Sequence, residues 1–169
     1  AHQLSFQVTI FDTNGNPLAT SNPVAFRYTS NAGIMSGGTV SNVRVEHNVV
    51  RNGPDGMVIR ANLDIRNAAG KPAGLTAFFY FDDGSNRPLR DFNGRYRTGQ
   101  GNVAVGEIFT PGSDNESYSN FELFMPYEEL HMDPTPGLRH EIKFFLTLTG
   151  GDEWGKLDAS PWVSFWFQP

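Results

Sequence analysis

The stretch Met57-Val58-Ile59-Arg60-Ala61-Asn62-Leu63-Asp64-Ile65-Arg66 decides the fold. From Ile59 onward every apolar residue is followed by a polar one. A period of two places Met57, Ile59, Ala61, Leu63 and Ile65 on one face of an extended chain. That is the signature of a half-buried β-strand. Working outward, the same test groups Leu4, Phe6, Val8 and Ile10 against Ser5, Gln7 and Thr9. It also groups Ile142, Phe144, Leu146 and Leu148 against Lys143, Thr147 and Thr149, with Phe145 as an apolar exception. Residues 24–29, 40–49, 75–82, 103–110, 118–125 and 162–167 are looser strand candidates, rich in β-branched and aromatic side chains. The total is about nine strands.

Between these runs lie turn signals: Asn14-Gly15-Asn16-Pro17, Asn52-Gly53-Pro54-Asp55-Gly56, Ala69-Gly70-Lys71-Pro72, Asp82-Asp83-Gly84-Ser85, Pro111-Gly112-Ser113-Asp114 and Gly150-Gly151-Asp152. Gly and Asn tolerate positive φ there, and Pro presets a bend. No segment holds a period of 3.6 for more than a turn or two, and residues 126–131 are the best candidate for a single helical turn. Short strands without crossover helices predict an all-β, antiparallel β-sandwich of about seven to nine strands, similar to immunoglobulin, C2 or jelly-roll architectures. The polar, Gly-rich residues 29–39 read as a linker. Residues 1–38 are therefore expected to form an N-terminal hairpin and linker packing on the sandwich, and residues 39–169 the sandwich itself.

The chain has 169 residues, the size of one ordinary domain or a domain with an extension. Leu, Ile, Val and Phe make up about a quarter of it, enough to bury a core. No apolar run approaches the ~18 residues of a membrane helix, so no membrane insertion is expected. The formal net charge of -5 argues against a nucleic-acid partner, because the cationic surface that neutralises phosphates is missing. Cysteine is absent, which removes disulfides, thiolate metal sites and cysteine nucleophiles together. Compartment is left open by composition, with an exported or envelope location favoured.

Five segments occur in order: Val43-Arg44-Val45-Glu46-His47-Asn48; Gly56-Met57-Val58-Ile59; Ala77-Phe78-Phe79-Tyr80-Phe81; Pro88-Leu89-Arg90-Asp91-Phe92-Asn93 with Tyr96-Arg97-Thr98; and Leu123-Phe124-Met125-Pro126-Tyr127-Glu128-Glu129-Leu130-His131. Over residues 40–132 the chain resembles a bacterial β-sandwich domain of uncharacterised function that is appended to other domains in longer proteins. The resemblance implies an accessory or interaction module, with a protein or a neighbouring domain as partner. It brings no catalytic residues.

The residues themselves offer several chemistries. The strained serine turn G-x-S-x-G and the helical zinc motif H-E-x-x-H are both missing. Glu128, His131, Asp133 and His140 flank a Pro-rich connection and are read as loop positions. Oxygen-rich groups at Asp12/Asn14/Asn16, Asp82/Asp83/Ser85/Asn86 and Asp152/Glu153/Asp158 are read as turn chemistry, since none has the spacing of a calcium loop. No catalytic group, metal or cofactor is therefore expected. Alternation puts His47 on the same face as Val43, Val45 and Val49, which predicts a buried, structural histidine bonded to a carbonyl or carboxylate.

Two places suit ligand contact. The loop Arg90 to Arg97 concentrates arginines and aromatics, so Asp91, Arg95, Tyr96 and Arg97 are the first binding candidates. The competing view has Phe92 and Tyr96 pinning the loop to the core while Asp91 pairs with an arginine. In the last strand Trp162, Ser164 and Trp166 share one face and Val163, Phe165 and Phe167 the other, and only one face can meet the core. The expectation is that the hairpin of residues 1–30 covers the indole face. Left open, Trp162 and Trp166 would sit ~13 Å apart, a spacing suited to sugar rings, and the chain would be a carbohydrate-binding module with a glycan ligand.

Overall fold

The structure is a computed structural model. It describes residues 2–7, 9–11, 13, 16–28, 37–151 and 154–168. The chain divides into two compact units, Ala1–Gly33 and Ile34–Pro169. In the first, β1 (His2–Phe6) pairs antiparallel with β4 (Val24–Tyr28), and β2 (Thr9–Phe11) with β3 (Pro17–Thr20). What reads as one strand from Leu4 to Ile10 is thus two. Of the linker expected at 29–39, residues 29–36 lie outside the described residues, while β5 already begins at Gly37.

The second unit is the antiparallel β-sandwich. One sheet has the order β5-β6-β9, formed by β5 (Gly37–Val50), β6 (Asp55–Arg66) and β9 (Asn115–Pro126). In the other, β10 (His140–Gly150) pairs with β7 (Ala73–Phe81), which pairs with β8 (Ala104–Phe109). The free flank of β10 is shared by β11 (Gly155–Ala159) on its C-terminal half and β12 (Val163–Phe167) on its N-terminal half. A single 3-10 turn, Tyr127–Leu130, follows β9 where the sequence placed one.

Alternation sets the core. Met57, Ile59, Ala61, Leu63 and Ile65 of β6 are buried, as are Leu75, Ala77 and Phe79 of β7 and Ile142, Phe144, Leu146 and Leu148 of β10. Burying the Leu, Ile, Met and Phe side chains among these is worth roughly 1.5–3 kcal/mol each, so the facing sheets carry the fold. Phe109 of β8 meets Tyr118 and Phe121 of β9 across the layers, with ring centroids 5.0 and 4.8 Å apart.

Asparagine does more than build turns. Asn42, Asn48 and Asn120 take φ of 51°, 58° and 58° inside strands. They coincide with register shifts between Ser41 and Arg44, between Glu46 and Val49, and opposite Ala61/Leu63. Asparagine tolerates the left-handed region better than other side chains, so it marks the extra residues of β-bulges. The second bulge bears on the expectation for His47: residues 47 and 48 together oppose the single residue Met57, and His47 is largely exposed, its ring only partly covered, instead of buried.

Candidate functional site

Neighbouring strand ends gather at one end of the sandwich. Val50 pairs with Asp55, Gly56 with Pro126, His140 with Phe167, and Ile142 with both Phe81 and Phe165. The connection between β7 and β8 folds at that end into its own small ladder. Leu89 N–H donates to Phe79 O, Val103 N–H to Leu89 O, and Ala104 N–H to Tyr96 O, each over 2.9 Å. Leu89 and Val103 are fully buried. The loop is thereby held by the core instead of hanging from it.

Within it, Asp91 caps the turn at Asn93-Gly94 by accepting Gly94 N–H at 2.6 Å. Its second oxygen accepts His131 Nε2–H at 3.2 Å. Glu129, only 2% exposed, accepts from Asn93 Nδ2 at 2.8 Å and pairs with Arg95 Nη1 at 3.4 Å. His131 Nε2 also lies 3.8 Å from Glu129. Burial acts to raise the Asp91 pKa, but the Gly94 N–H and His131 outweigh it and hold the carboxyl below its ordinary value. The ligating atoms of Asp91, Glu129 and His131 all lie within 4.8 Å of one another. Asn93 and Arg95 already donate to Glu129, so this arrangement works as a latch between the loop and the 3-10 turn.

The view that Phe92 and Tyr96 pin this loop while Asp91 pairs with an arginine is corrected in two places. Tyr96 does pack against the core, but Phe92 is 80% exposed, edge-on to His131 at 5.5 Å. Asp91 pairs with His131, and the arginine partner belongs to Glu129. Of the proposed binding residues, Asp91 is consumed by the latch, Arg95 spans from solvent to Glu129, and Arg97 remains exposed. The group Glu128, His131, Asp133 and His140 does not converge. Asp133 accepts Thr135 N–H and Oγ1–H, and His140 Nε2 turns to Asp133 O at 3.1 Å.

On the other side of the 3-10 turn an open cleft of about 570 Å³ is lined by His47, Asp55, Tyr127, Glu128, Trp166 and their neighbours. Tyr127 organises its wall: the hydroxyl lies 3.0 Å from His47 Nδ1 and accepts Asn48 N–H at 3.1 Å. His47 also packs on Phe165, and Tyr127 on Phe167, at ring distances of 5.5 and 4.9 Å. Partial burial lowers the His47 pKa, which favours the neutral ring at pH 7, and burial raises that of Tyr127. Trp166 forms the rim at 64% exposure. Arg139 lies over its ring, 3.0 Å from the centroid.

The outer face of the five-stranded sheet carries the second indole. Trp162, 47% exposed, stands edge-on to Phe145 and Tyr80 at 4.8 and 5.1 Å, and Phe145 stacks on Phe78. The apolar exception in the β10 pattern is thus the centre of an external aromatic cluster. Both indoles are exposed on the surface of the second unit. Phe165 is buried between the sheets, so the assignment of the two faces of β12 stands. At the margin of this face Lys143 pairs with Asp82 at 3.2 Å, and Ser164 and Lys143 together lower the Asp82 pKa.

Asp83 behaves as a turn residue, accepting Ser85 N–H and Oγ–H, whereas Asp158 lies in β11 and accepts the distant Val40 N–H at 2.7 Å. Asp12, Asn14, Asp152 and Glu153 lie outside the described residues. Sequence reasoning missed Glu129, Asn93 and Tyr127 as organisers of this end. The available signal was the run Tyr127-Glu128-Glu129 directly after a strand, where a carboxylate on the inward side of a single turn must find donors. No protein-family model, curated protein or solved structure matches the chain.

Proposed function

We propose that this chain is a non-catalytic interaction module, an accessory β-sandwich of a larger exported or envelope-associated bacterial protein, whose partner is a protein or a neighbouring domain. The observation that carries the reading is the exposure of Phe92 and Trp166 at one end of the sandwich, on a loop tied to buried Glu129 and a strand paired with β10. Large aromatic side chains presented on a rigid frame are the usual anchors of protein recognition, because they contribute contact area with little ordering entropy. The test is affinity capture with the whole chain and with Phe92→Ser and Trp166→Ala. Both variants should keep the melting temperature, since both side chains stand in solvent. A protein retained by the wild-type chain and lost by both variants supports the reading, and equal capture by all three chains would sink it.

A carbohydrate-binding function is the second reading, favoured by the exposure of both Trp162 and Trp166. A glycan array separates the two. Selective retention of one oligosaccharide class, abolished by Trp166→Ala at unchanged melting temperature, would replace the first reading with the second.

A further inference from the structure

We infer that the cleft beside Tyr127 is a receptor for an arginine side chain of a peptide partner. The inference deepens the module reading and rests on it. Three observations converge. First, two exposed carboxylates, Asp55 and Glu128, line the cleft, and none of the described residues lining it is a lysine or arginine. Among the described residues neither carboxylate pairs with a cation, whereas Glu46, Asp83, Glu122, Glu129 and Glu141 all do. Asp55 accepts Gly56 N–H at 2.9 Å through one oxygen, and negative charge without a cation partner in a concave wall favours a cationic occupant.

Second, the remaining walls are aromatic: Tyr127, Phe167 and Trp166. Cations are attracted to the faces of such rings, most strongly to indole. This molecule already uses that interaction on both exposed indoles of its last strand region, with Arg139 over Trp166 and Lys143 over Trp162. Arg139 is not among the described residues lining the cleft but already occupies one face of Trp166, so the ring faces of Tyr127 and Phe167 are the ones proposed to receive the cation.

Third, the electrostatics of the histidine agree. His47, whose charged form is disfavoured by burial, adds no opposing charge at neutral pH. A guanidinium matches this set better than an ammonium, because its planar fork can meet a carboxylate while its face lies on a ring. A volume of about 570 Å³ falls in the range of binding pockets and exceeds a single side chain, leaving room for flanking peptide.

The test titrates the whole chain with acetyl-Arg-Arg-amide, following tryptophan fluorescence and the Trp166 indole resonance. Acetyl-Gln-Gln-amide and cellohexaose serve as comparison ligands. The expected result is saturable binding of the arginine peptide alone, weakened by salt. Asp55→Asn combined with Glu128→Gln should reduce it by about fivefold or more, as for loss of exposed ion pairs. Absence of saturation, or equal affinity in the double variant, overturns the assignment. If the arginine peptide fails while Trp166→Ala still abolishes capture of a protein, the cleft assignment falls and the module reading stands. If cellohexaose alone moves the Trp166 resonance, both fall.

Discussion

Asp91 shows how one side chain can look like a ligand contact in sequence and act as a fastener in the fold. Its carboxylate faces Gly94 N–H and His131, and its pKa is depressed in consequence. A carboxylate with a lowered folded-state pKa contributes stability that is fully present above its unfolded value, about 3.9. That contribution is lost as pH falls through the depressed folded value. We therefore expect the urea midpoint to drop on acidification below about pH 4, and to drop less steeply in Asp91→Asn. Asp82, Asp83, Glu122 and Asp133 are depressed as well, so the measurement is the difference between the two chains across pH. Parallel curves would mean that Asp91 is not what ties the loop down. The proximity of His131, forty positions away in the chain, has no counterpart in spacing or periodicity, which is why sequence reasoning left the two groups in separate hypotheses.

At the scale of elements, the break between β11 and β12 depends on one hydroxyl. Ser160, nearly buried, accepts Leu146 N–H at 2.9 Å through Oγ and donates to Pro161 O at 2.8 Å, while its own N–H reaches Leu146 O. Ser160→Ala leaves the Leu146 N–H without a partner inside the sheet. We expect a loss of roughly 1–3 kcal/mol in denaturant unfolding, and an unchanged midpoint would show that water replaces the hydroxyl. This edge also marks where sequence was legible and where it was not. β6 and β10 announce themselves because one face of each is wholly apolar. β11, Gly-Lys-Leu-Asp-Ala, has a single large apolar residue, Leu157, and its place is set by pairing with β10, so it went unseen. In β5 the alternation is cut twice by asparagine bulges, and a strict period of two therefore misplaced His47.

For the whole molecule, the latch has a consequence in time. It joins the connection between β7 and β8 of one sheet to the 3-10 turn after β9 of the other. Its members come from separate layers, so we expect these bonds to form late in assembly and to break early in its failure. Interactions absent from the transition state govern how fast a protein comes apart and leave its rate of formation alone. In a chevron experiment Glu129→Gln should raise the unfolding rate about tenfold, with the refolding limb superimposed on that of the parent chain. A slowed refolding limb would place the latch in the folding nucleus instead. Arg95, at 69% exposure, is the solvent-side handle of that latch. A partner that grips it at the open end of the sandwich would therefore set the lifetime of the folded state as well as occupy its surface.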